Sequence, residues 1–214
     1  WIVPHFEKML YDNIQYVNLL NNYLSIKEDN YLKQKLKQTI NFINSEFLIK
    51  NNLLGSAYDA DSDGIEGKYY IWRYQELKDI LGDDLETFKK KYKISEEGNF
   101  EGSNILIENL DVNIEKESKK ILEIETKILE IRKKRNKPFF DDKSQTDLNA
   151  FWIYVNLYSS IILNDKSLLE KSKENIENLN QIYENKLFHC YNDNKQIDVF
   201  LEDYVYFSLL LLSN

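Results

Sequence analysis

The strongest fold signal in this sequence is "HFEKMLYDNIQYVNLLNNYLSIKEDNYLKQKLKQTINFINSEFLIK", residues 5–50. Apolar side chains recur there every three or four positions, which predicts two amphipathic helices, over about residues 5–25 and 30–50. Only the short "KEDN" segment joins them, so we expect an antiparallel helix hairpin. The apolar positions are Phe6, Met9, Leu10, Ile14, Val17, Leu20 and Leu24, then Leu32, Leu36, Ile40, Ile43 and Phe47.

The rest of the chain repeats this pattern with short interruptions. Apolar spacing predicts further helices over about 74–81, 83–92, 112–135, 146–164 and 166–184, and one from Leu201 onward. Turn residues predict a small β-hairpin whose acidic tip is Asp59 to Gly67, a second hairpin at 186–200, and an irregular or short-strand stretch at 98–107. We therefore predict an all-α fold of the α-toroid type, without an internal domain boundary. In a toroid, the loops that precede the inner helices lie on one rim.

Composition excludes several classes of function. The net charge of −8 and a pI near 5.0 argue against a nucleic-acid or anionic-membrane partner. The basic run Arg132 to Arg135 ends a predicted helix, where it complements the helix dipole and nearby carboxylates. Cys190 is the single cysteine, which fits a reducing compartment such as the cytoplasm. We see no signal peptide and no bilayer-spanning run, and the start at Trp1 suggests a fragment.

Four polar clusters precede predicted inner helices or lie in hairpins on the same rim. They are "VPHFEKMLYD" (3–12), "DADSDGIEG" (59–67), "FFDDKSQTDLN" (139–149) and "FLEDYVY" (200–206). Paired carboxylates serve general acid–base and glycosyl chemistry, and His5 could serve as a base. The alternative is structural: Asp141, Asp142 and Asp147 cap helix starts, and His5 bonds only to backbone.

The acidic stretch at 59–64, "DADSDG", matches the opening of a calcium-binding EF-hand loop. An EF-hand needs a bidentate acid at its twelfth position, where this chain has Tyr70. A β-prone run also follows where an exiting helix belongs. We therefore interpret the stretch as an acidic hairpin, with Gly64 and Gly67 providing the turns, and expect no dedicated metal site. A looser, adventitious cation site stays open.

Cys190 follows His189 directly, a pair that could suggest a nucleophile and its base. Neighbours in a strand point to opposite faces, so the two are badly placed to cooperate. We predict a buried or half-buried thiol without a catalytic role.

The motifs "VPHFEKMLYDN", "DADSDGIEGKYYIW", "GNFEGSNIL", "RKKRNKPFFDDKSQTDLNAF" and "FLEDYVY" occur in this order along nearly the whole chain. In these motifs the chain resembles the thioredoxin-domain proteins of the spermatogenesis-associated protein 20 or YyaL-like type. The resemblance implies a partial (α/α)6 barrel of the six-hairpin glycosidase and N-acylglucosamine 2-epimerase type. It also implies an N-terminal thioredoxin-like domain outside residues 1–214, and further barrel hairpins. It establishes no activity.

One motif departs from the family pattern, which reads close to "DDKILTSWNGL" where this chain has "DDKSQTDLNAF". Asp141, Asp142, Lys143, Thr146 and Asn149 are kept, whereas Leu148 replaces a tryptophan and Ala150 a glycine. If that tryptophan stacks on a sugar-like ligand, the platform is missing here. The difference puts substrate binding in question more than acid–base chemistry.

Three hypotheses for function follow. The first is an epimerase-like or hydrolase-like enzyme with a small sugar-like substrate and no cofactor. His5 or Asp142 would act as base and Glu202 or Asp203 as acid, with Glu7 beside His5. The ligand would contact Asp59, Asp61, Glu66, Lys143, Asn149 and Tyr204. The second hypothesis is a ligand- or client-binding module beside the thioredoxin-like domain. The third is a degenerate, purely structural barrel.

Overall fold

The computed structural model describes residues 3–110, 119–183, 186–191 and 197–213. Among them the α-helices are α1 Leu10–Ile26, α2 Asn30–Glu46, α3 Tyr74–Leu81, α4 Leu85–Lys91, α5 Lys119–Arg132, α6 Thr146–Leu163, α7 Lys166–Ile182 and α8 Leu201–Leu212. Short 3-10 turns occupy Lys50–Asn52 and Gly82–Asp84. The strands are β1 Lys8–Met9, β2 Ala57–Tyr58, β3 Asp61–Ser62, β4 Ile65–Glu66, β5 Tyr92–Lys93, β6 Ile107–Glu108, β7 Phe140–Asp141, β8 Ser144–Gln145 and β9 Cys190–Tyr191. The chain is mostly helical, which confirms the predicted all-α class.

The chain forms two compact units. The helical unit comprises Lys8–Tyr58 and Phe140–Asn214. The inserted unit comprises Trp1–Glu7 and Asp59–Phe139.

Helix α6 is the centre of the helical unit, and it packs against α1, α7 and α8. The pairs α1/α2 and α6/α7 are helix hairpins with short loops, as the sequence predicts. Asp29 caps α2 by accepting from Leu32 N at 3.0 Å, and Asp165 caps α7 by accepting from Ser167 N at 3.0 Å. Asn164, in the left-handed region at φ 51°, closes the α6 end and lets the chain reverse.

The core of the helical unit is apolar along the predicted positions of α1 and α2. Leu10, Ile14, Val17, Leu36 and Ile43 are fully buried there. Each such side chain stabilises the fold by about 1.5–3 kcal/mol. A buried amide also links helices: Asn21 Nδ2 of α1 donates to Val155 O at 3.0 Å and Ser159 Oγ at 2.9 Å on α6.

Helix α1 starts later than its apolar pattern predicts. Lys8–Met9 is a strand that pairs antiparallel with Ala57–Tyr58, which in turn pairs with Phe140–Asp141. The helix therefore begins at Leu10, and His5 and Glu7 precede it instead of lying in its first turn. Residues 8 and 9 form backbone hydrogen bonds in this three-stranded sheet instead of in the helix. The local apolar spacing cannot predict this, because the partner strands are distant in sequence.

In the inserted unit, β3 and β4 form the predicted acidic hairpin. Its turn is Asp63-Gly64, with φ 54° and 71°, the left-handed pair that a two-residue hairpin turn requires. The aromatic segment that follows is a turn over 67–70 rather than a strand. Gly67 has φ 70°, and a Cβ there would meet the Phe6 ring at 2.7 Å.

The short helices α3 and α4 match the prediction closely and pack with α5 around Trp72, Leu77 and Phe88. The predicted start of the long helix near residue 112 lies outside the described residues, as does the predicted Asn192–Asn194 tip of the second hairpin. The described part of that hairpin pairs Cys190 with Ile197. Among the described helices, none combines the length and apolar character that a bilayer crossing requires.

Arg135 has a different role from the one predicted for the basic run. Its guanidinium lies 3.8 Å from the centre of the Trp72 ring. Nη1 donates to the carbonyls of Lys68, Tyr69 and Ile71, the shortest bond being 2.8 Å to Ile71 O. Nη2 donates to Glu76 at 2.8 Å. Arg135 therefore ties the segment after the acidic hairpin to the end of α5, instead of only complementing a helix dipole.

Candidate functional site

The residues that the sequence singles out fall into both compact units. His5, Glu7, Asp59, Asp61 and Glu66 belong to the inserted unit. Asp142, Lys143, Asn149, Glu202, Asp203 and Tyr204 belong to the helical unit. Their convergence on one cavity stays a prediction, and each set is described within its own unit.

In the inserted unit these side chains face solvent. The His5 side chain is 97% exposed, with Nδ1 3.5 Å from Glu7 Oε2. Asp61 and Glu66 are direct cross-strand partners in the β3–β4 hairpin, and both are exposed. Asp59 is exposed and accepts from Ala60 N at 2.7 Å. The hairpin thus brings two like charges side by side, where water screens them.

In the helical unit, four of the predicted residues are also exposed: Asp142, Lys143, Glu202 and Tyr204. Lys143 Nζ pairs with Asp141 Oδ2 at 3.0 Å. That hydrogen bond raises the pKa of the lysine above its ordinary value. Lys143 therefore pairs with the first aspartate of its motif.

Asn149 is buried in α6, and its amide ties backbone segments together. Its Oδ1 accepts from Leu54 N at 2.8 Å. Its Nδ2 lies within hydrogen-bond distance of Leu54 O, Ser144 Oγ and Gln145 O, at 2.9–3.1 Å. Both amide hydrogens therefore have acceptors inside the protein, and the side chain fixes the Leu54 segment against the start of α6.

Asp203 behaves differently from the other predicted carboxylates, because it is fully buried. It lies in the first turn of α8 and accepts from Phe200 N at 2.8 Å and from Asp147 N at 3.1 Å. His189, in the segment before β9, places Nδ1 3.0 Å from Asp203 Oδ2 and 3.1 Å from Oδ1. A buried carboxylate thus orients a histidine ring.

The neighbours of His189 fix its ring further. Because Nδ1 faces a carboxylate, that nitrogen carries the proton, and Nε2 is the acceptor. Gln145 Nε2 lies 3.2 Å from His189 Nε2 and donates to it. The Phe200 ring packs edge-on against the imidazole at 4.7 Å between centroids. The His189 carbonyl accepts from Thr146 N at 2.8 Å, which joins the segment to the start of α6.

Asp147, in the first turn of α6, completes the cluster. Burial raises the pKa of its carboxyl above the ordinary aspartate value, and the charge of Asp203 adds to this. The hydrogen bond from Leu148 N, at 2.8 Å, and the proximity of His189 act in the opposite direction. Asp147 therefore keeps its proton to a higher pH than an exposed aspartate does.

Asp147, His189 and Asp203 are also the described residues that come nearest to a metal-ligand set, with one ligand atom from each lying within 4.8 Å of the others. The His189 Nδ1 proton already lies against Asp203, and backbone N–H groups occupy both Asp203 oxygens. A cation at Nδ1 would have to displace that proton.

Cys190, the residue after His189, is buried at 4% exposure. Burial raises the pKa of its thiol, which keeps it in the less reactive protonated form. The predicted buried thiol is thus confirmed.

The sequence predicts Asp203 as an acid with His5 or Asp142 as base, whereas within the helical unit the histidine that contacts Asp203 is His189. From the sequence, His189 is considered only as a partner of Cys190, and Asp147 only as a helix cap. The sequence feature that points to His189 is the predicted hairpin at 186–200, which returns the chain to the start of the helix that carries Asp203. Strand β9 of this hairpin pairs with β8, with Ser144 opposite Tyr191 and Gln145 opposite Cys190. This pairing brings His189 to the start of α6.

Comparison with known proteins shows a relationship by sequence. The chain is similar to spermatogenesis-associated protein 20. It is 24% identical to the human protein over 204 residues, covering 79% of this chain, and 29% identical to the mouse protein over 119 residues, covering 48%. An uncharacterized protein of Caenorhabditis elegans is 32% identical over 93 residues, covering 39% of the chain. No family model matches the chain.

The match to spermatogenesis-associated protein 20 confirms the resemblance inferred from the motifs. The chain spans about a quarter of the human relative, 26% of its length, and 15% of the mouse relative. The similarity is therefore to part of a much longer protein.

Proposed function

We propose that the helical unit is part of an (α/α)6-type toroid that carries an acid–base centre for a small hydroxylated, sugar-like substrate, with epimerase-like or hydrolase-like chemistry. The observation that carries the proposal is the His189–Asp203 pair, in which a fully buried carboxylate holds an imidazole at 3.0 Å, with Asp147 beside them.

In this proposal, His189 is the base. Asp203 keeps the proton on Nδ1 and stabilises the imidazolium that forms when Nε2 takes a proton from substrate. Gln145 Nε2, 3.2 Å away, holds the position that the substrate's acidic group would take. On binding, the substrate therefore replaces the hydrogen bond between Gln145 and His189 Nε2. The Gln145 amide then becomes free to bind a substrate hydroxyl.

Asp147 is the complementary acid. Its raised pKa favours the protonated form that can donate to a substrate oxygen. Asp203, by contrast, accepts hydrogen bonds from two backbone N–H groups. Two carboxyl groups in different environments next to one imidazole supply both directions of proton transfer. His5 and Asp142 remain the bases predicted from sequence, and Glu202 the predicted acid.

The toroid assignment rests on how the helices pack. Helix α6 contacts α1 and α8 as well as its hairpin partner α7, the neighbour relationships of inner helices in a ring. Helix α8 exposes apolar side chains that a following inner helix would cover, among them Leu201, Tyr204 and Leu212. We also propose, from the family resemblance, a thioredoxin-like domain as partner and, from the single cysteine, a cytoplasmic location.

A second candidate is a ligand- or client-binding module. It is favoured by the exposed apolar face of α8 and by Gln145, which occupies the Nε2 position of His189. In that case the cluster joins β8, β9 and α8 and carries out no chemistry, and the barrel is catalytically inactive.

Proton exchange tests the two candidates. The 214-residue chain is incubated in D₂O with a panel of reducing sugars, and ¹H NMR follows loss of the C2 proton signal, while aryl glycosides report hydrolysis. We expect turnover that falls at least about a hundredfold in His189→Gln, since the variant keeps a donor for Asp203 but loses the base.

His5→Gln is the discriminating variant, because the chain has two histidines. Loss of turnover in His5→Gln alone would restore the centre predicted from sequence. Absence of both reactions, or turnover unchanged in His189→Gln, would overturn the proposed centre. Circular dichroism of each variant verifies that it is folded.

A further inference from the structure

The inserted unit contains a cavity of about 610 Å³ between the β3–β4 hairpin and the chain after α5. Its volume lies in the range of small-molecule sites. The residues that matter for ligand chemistry are Tyr69, Arg73, Glu101, Ser103, Lys134 and Arg135. This cavity belongs to the inserted unit alone, so it is independent of the acid–base centre proposed above.

Two hydroxyl groups in the cavity lining have no hydrogen-bond partner among the described residues. Tyr69 is 6% exposed and Ser103 is 8% exposed, so both side chains are more than nine-tenths buried. Neither hydroxyl belongs to the unpaired polar atoms that are sealed from solvent. Each can therefore still bond to water or to a ligand in the cavity that Tyr69 and Ser103 line.

The charges of the lining divide into paired and unpaired groups. Lys68 pairs with Asp63 at 2.9 Å, and Arg135 pairs with Glu76 at 2.8 Å. The guanidinium of Arg73 and the ammonium of Lys134 have no anionic partner among the described residues, and Glu101 has no cationic one. In a chain of net charge −8, the cavity thus offers two unpaired cations against one unpaired carboxylate.

The wall of the cavity is held in place before any ligand arrives. Arg135 binds the carbonyls of Tyr69 and Ile71 at 3.1 and 2.8 Å. Arg132 lies over the Tyr69 ring, 5.5 Å from its centre. A ligand would therefore meet a Tyr69 side chain whose backbone and ring are already held in place, which reduces the entropy cost of binding.

We propose that this cavity binds a small organic anion that carries hydroxyl groups. Arg73 and Lys134 take the carboxylate or phosphate through charge-assisted hydrogen bonds. Tyr69, Ser103 and Glu101 bind the hydroxyl groups of the ligand, while Ile65 and Ile71 contact its carbon skeleton. Gluconate carries a carboxylate and glucose 6-phosphate carries a phosphate ester, so comparing their affinities shows which anionic group the cavity prefers.

The test is titration of the 214-residue, ¹⁵N-labelled chain with gluconate, glucose 6-phosphate, inorganic phosphate and glucose, followed by amide shifts and calorimetry. We expect at least one of the two hydroxylated acids to bind at least about tenfold more tightly than both glucose and phosphate, with shifts at Tyr69, Arg73 and Ser103. One charge-assisted hydrogen bond accounts for a factor of that size.

Two variants and a matched control localise the site. Arg73→Gln and Lys134→Gln each remove one unpaired cation, and we expect each to weaken binding of the preferred acid about tenfold. Lys133→Gln removes the same charge from the neighbouring position, where Nζ pairs with Glu130 at 2.8 Å outside the cavity lining, and binding should not change.

Equal affinity for glucose and the acids would overturn the proposal. So would the absence of binding at millimolar concentrations, or an equal loss in Lys133→Gln. Tighter binding of inorganic phosphate than of glucose 6-phosphate would also overturn it, because the two unpaired hydroxyls would then have no role.

Discussion

His189 and Asp203 form a hydrogen-bonded pair, with His189 Nδ1 3.0 Å from Asp203 Oδ2. The carboxylate has no exposed area, and the imidazole side chain is 16% exposed. Asp203 also accepts two backbone hydrogen bonds, one in α8 and one from the start of α6. The pair therefore joins three separate segments of the chain: the start of α6, the residues before β9 and the first turn of α8.

Asp203→Ala should destabilise the helical unit strongly. The change leaves His189 Nδ1–H and two backbone N–H groups without their acceptor, and each buried donor left unsatisfied costs about 1–3 kcal/mol. Urea unfolding measures the change in the free energy of unfolding. Glu202→Ala, at an exposed position on the same helix, is the control, and it should change that free energy by less than about 0.5 kcal/mol. Equal losses in both variants would mean that the pair does not hold the segments together.

Asp147→Asn should make stability less dependent on pH. Because folding raises the pKa of Asp147, its stabilising contribution is complete below the unfolded-state aspartate pKa and is lost as pH rises through the folded-state pKa. The asparagine keeps an acceptor for Leu148 N but cannot ionise. As pH rises from acidic to neutral, we therefore expect the stability of the variant to increase relative to that of the native chain.

Urea midpoints at a series of pH values compare Asp147→Asn with the native chain. Asp142→Asn, at an exposed position in the same motif, serves as the control. A difference between Asp147→Asn and the native chain that stays constant, or shrinks as pH rises, would contradict the raised pKa.

Gly67→Ala should cost more stability than Gly64→Ala. Both glycines have φ near 70°, so each alanine has the same backbone strain, about 1–2 kcal/mol. At Gly67 the new Cβ also meets the Phe6 ring at 2.7–2.9 Å, whereas at Gly64 nothing lies within 4 Å. Displacing that ring adds about 1–3 kcal/mol. Thermal or urea unfolding of the two variants decides, and equal losses would contradict the close packing of Phe6.

Arg135→Lys should loosen the segment from Lys68 to Trp72 although the charge is kept. An ammonium group cannot reproduce the planar fork that reaches three carbonyls and Glu76 while stacking on Trp72. Loss of two or three of these bonds costs about 1–3 kcal/mol in total. Hydrogen exchange should accelerate at Tyr70 and Ile71, whose amides bond to Gly67 O. Lys133→Arg is the control, and equal exchange in both variants would contradict this role.

The Cys190 thiol should react slowly with Ellman's reagent in the folded chain. Burial both shields the sulfur and raises the pKa of the thiol, so little thiolate forms near neutral pH. The reaction should become fast when urea unfolds the protein. Reaction of the folded chain at the rate of the unfolded one would show that the β9 segment opens readily.

The helices were predictable because their signal is local. The apolar spacing of residues 10–26 and 30–46 and the capping residues Asp29 and Asp165 act within a few positions of the chain. The acidic hairpin was predictable for the same reason, since Asp63-Gly64 specifies its turn. The first residues of α1 were not, because Lys8 and Met9 pair with Ala57 and Tyr58, almost fifty positions away.

The candidate site divides in the same way. By itself, the sequence established the helical class, the hairpin at 59–67, the buried cysteine and the similarity to spermatogenesis-associated protein 20. Only the folded structure pairs His189 with Asp203 and places both beside Asp147. Asp203 is 14 residues from His189 and 56 residues from Asp147 in the sequence. Burial also distinguishes Asp203 from its exposed neighbour Glu202. Burial and long-range hydrogen bonding depend on packing between segments, and no single stretch of sequence encodes that packing.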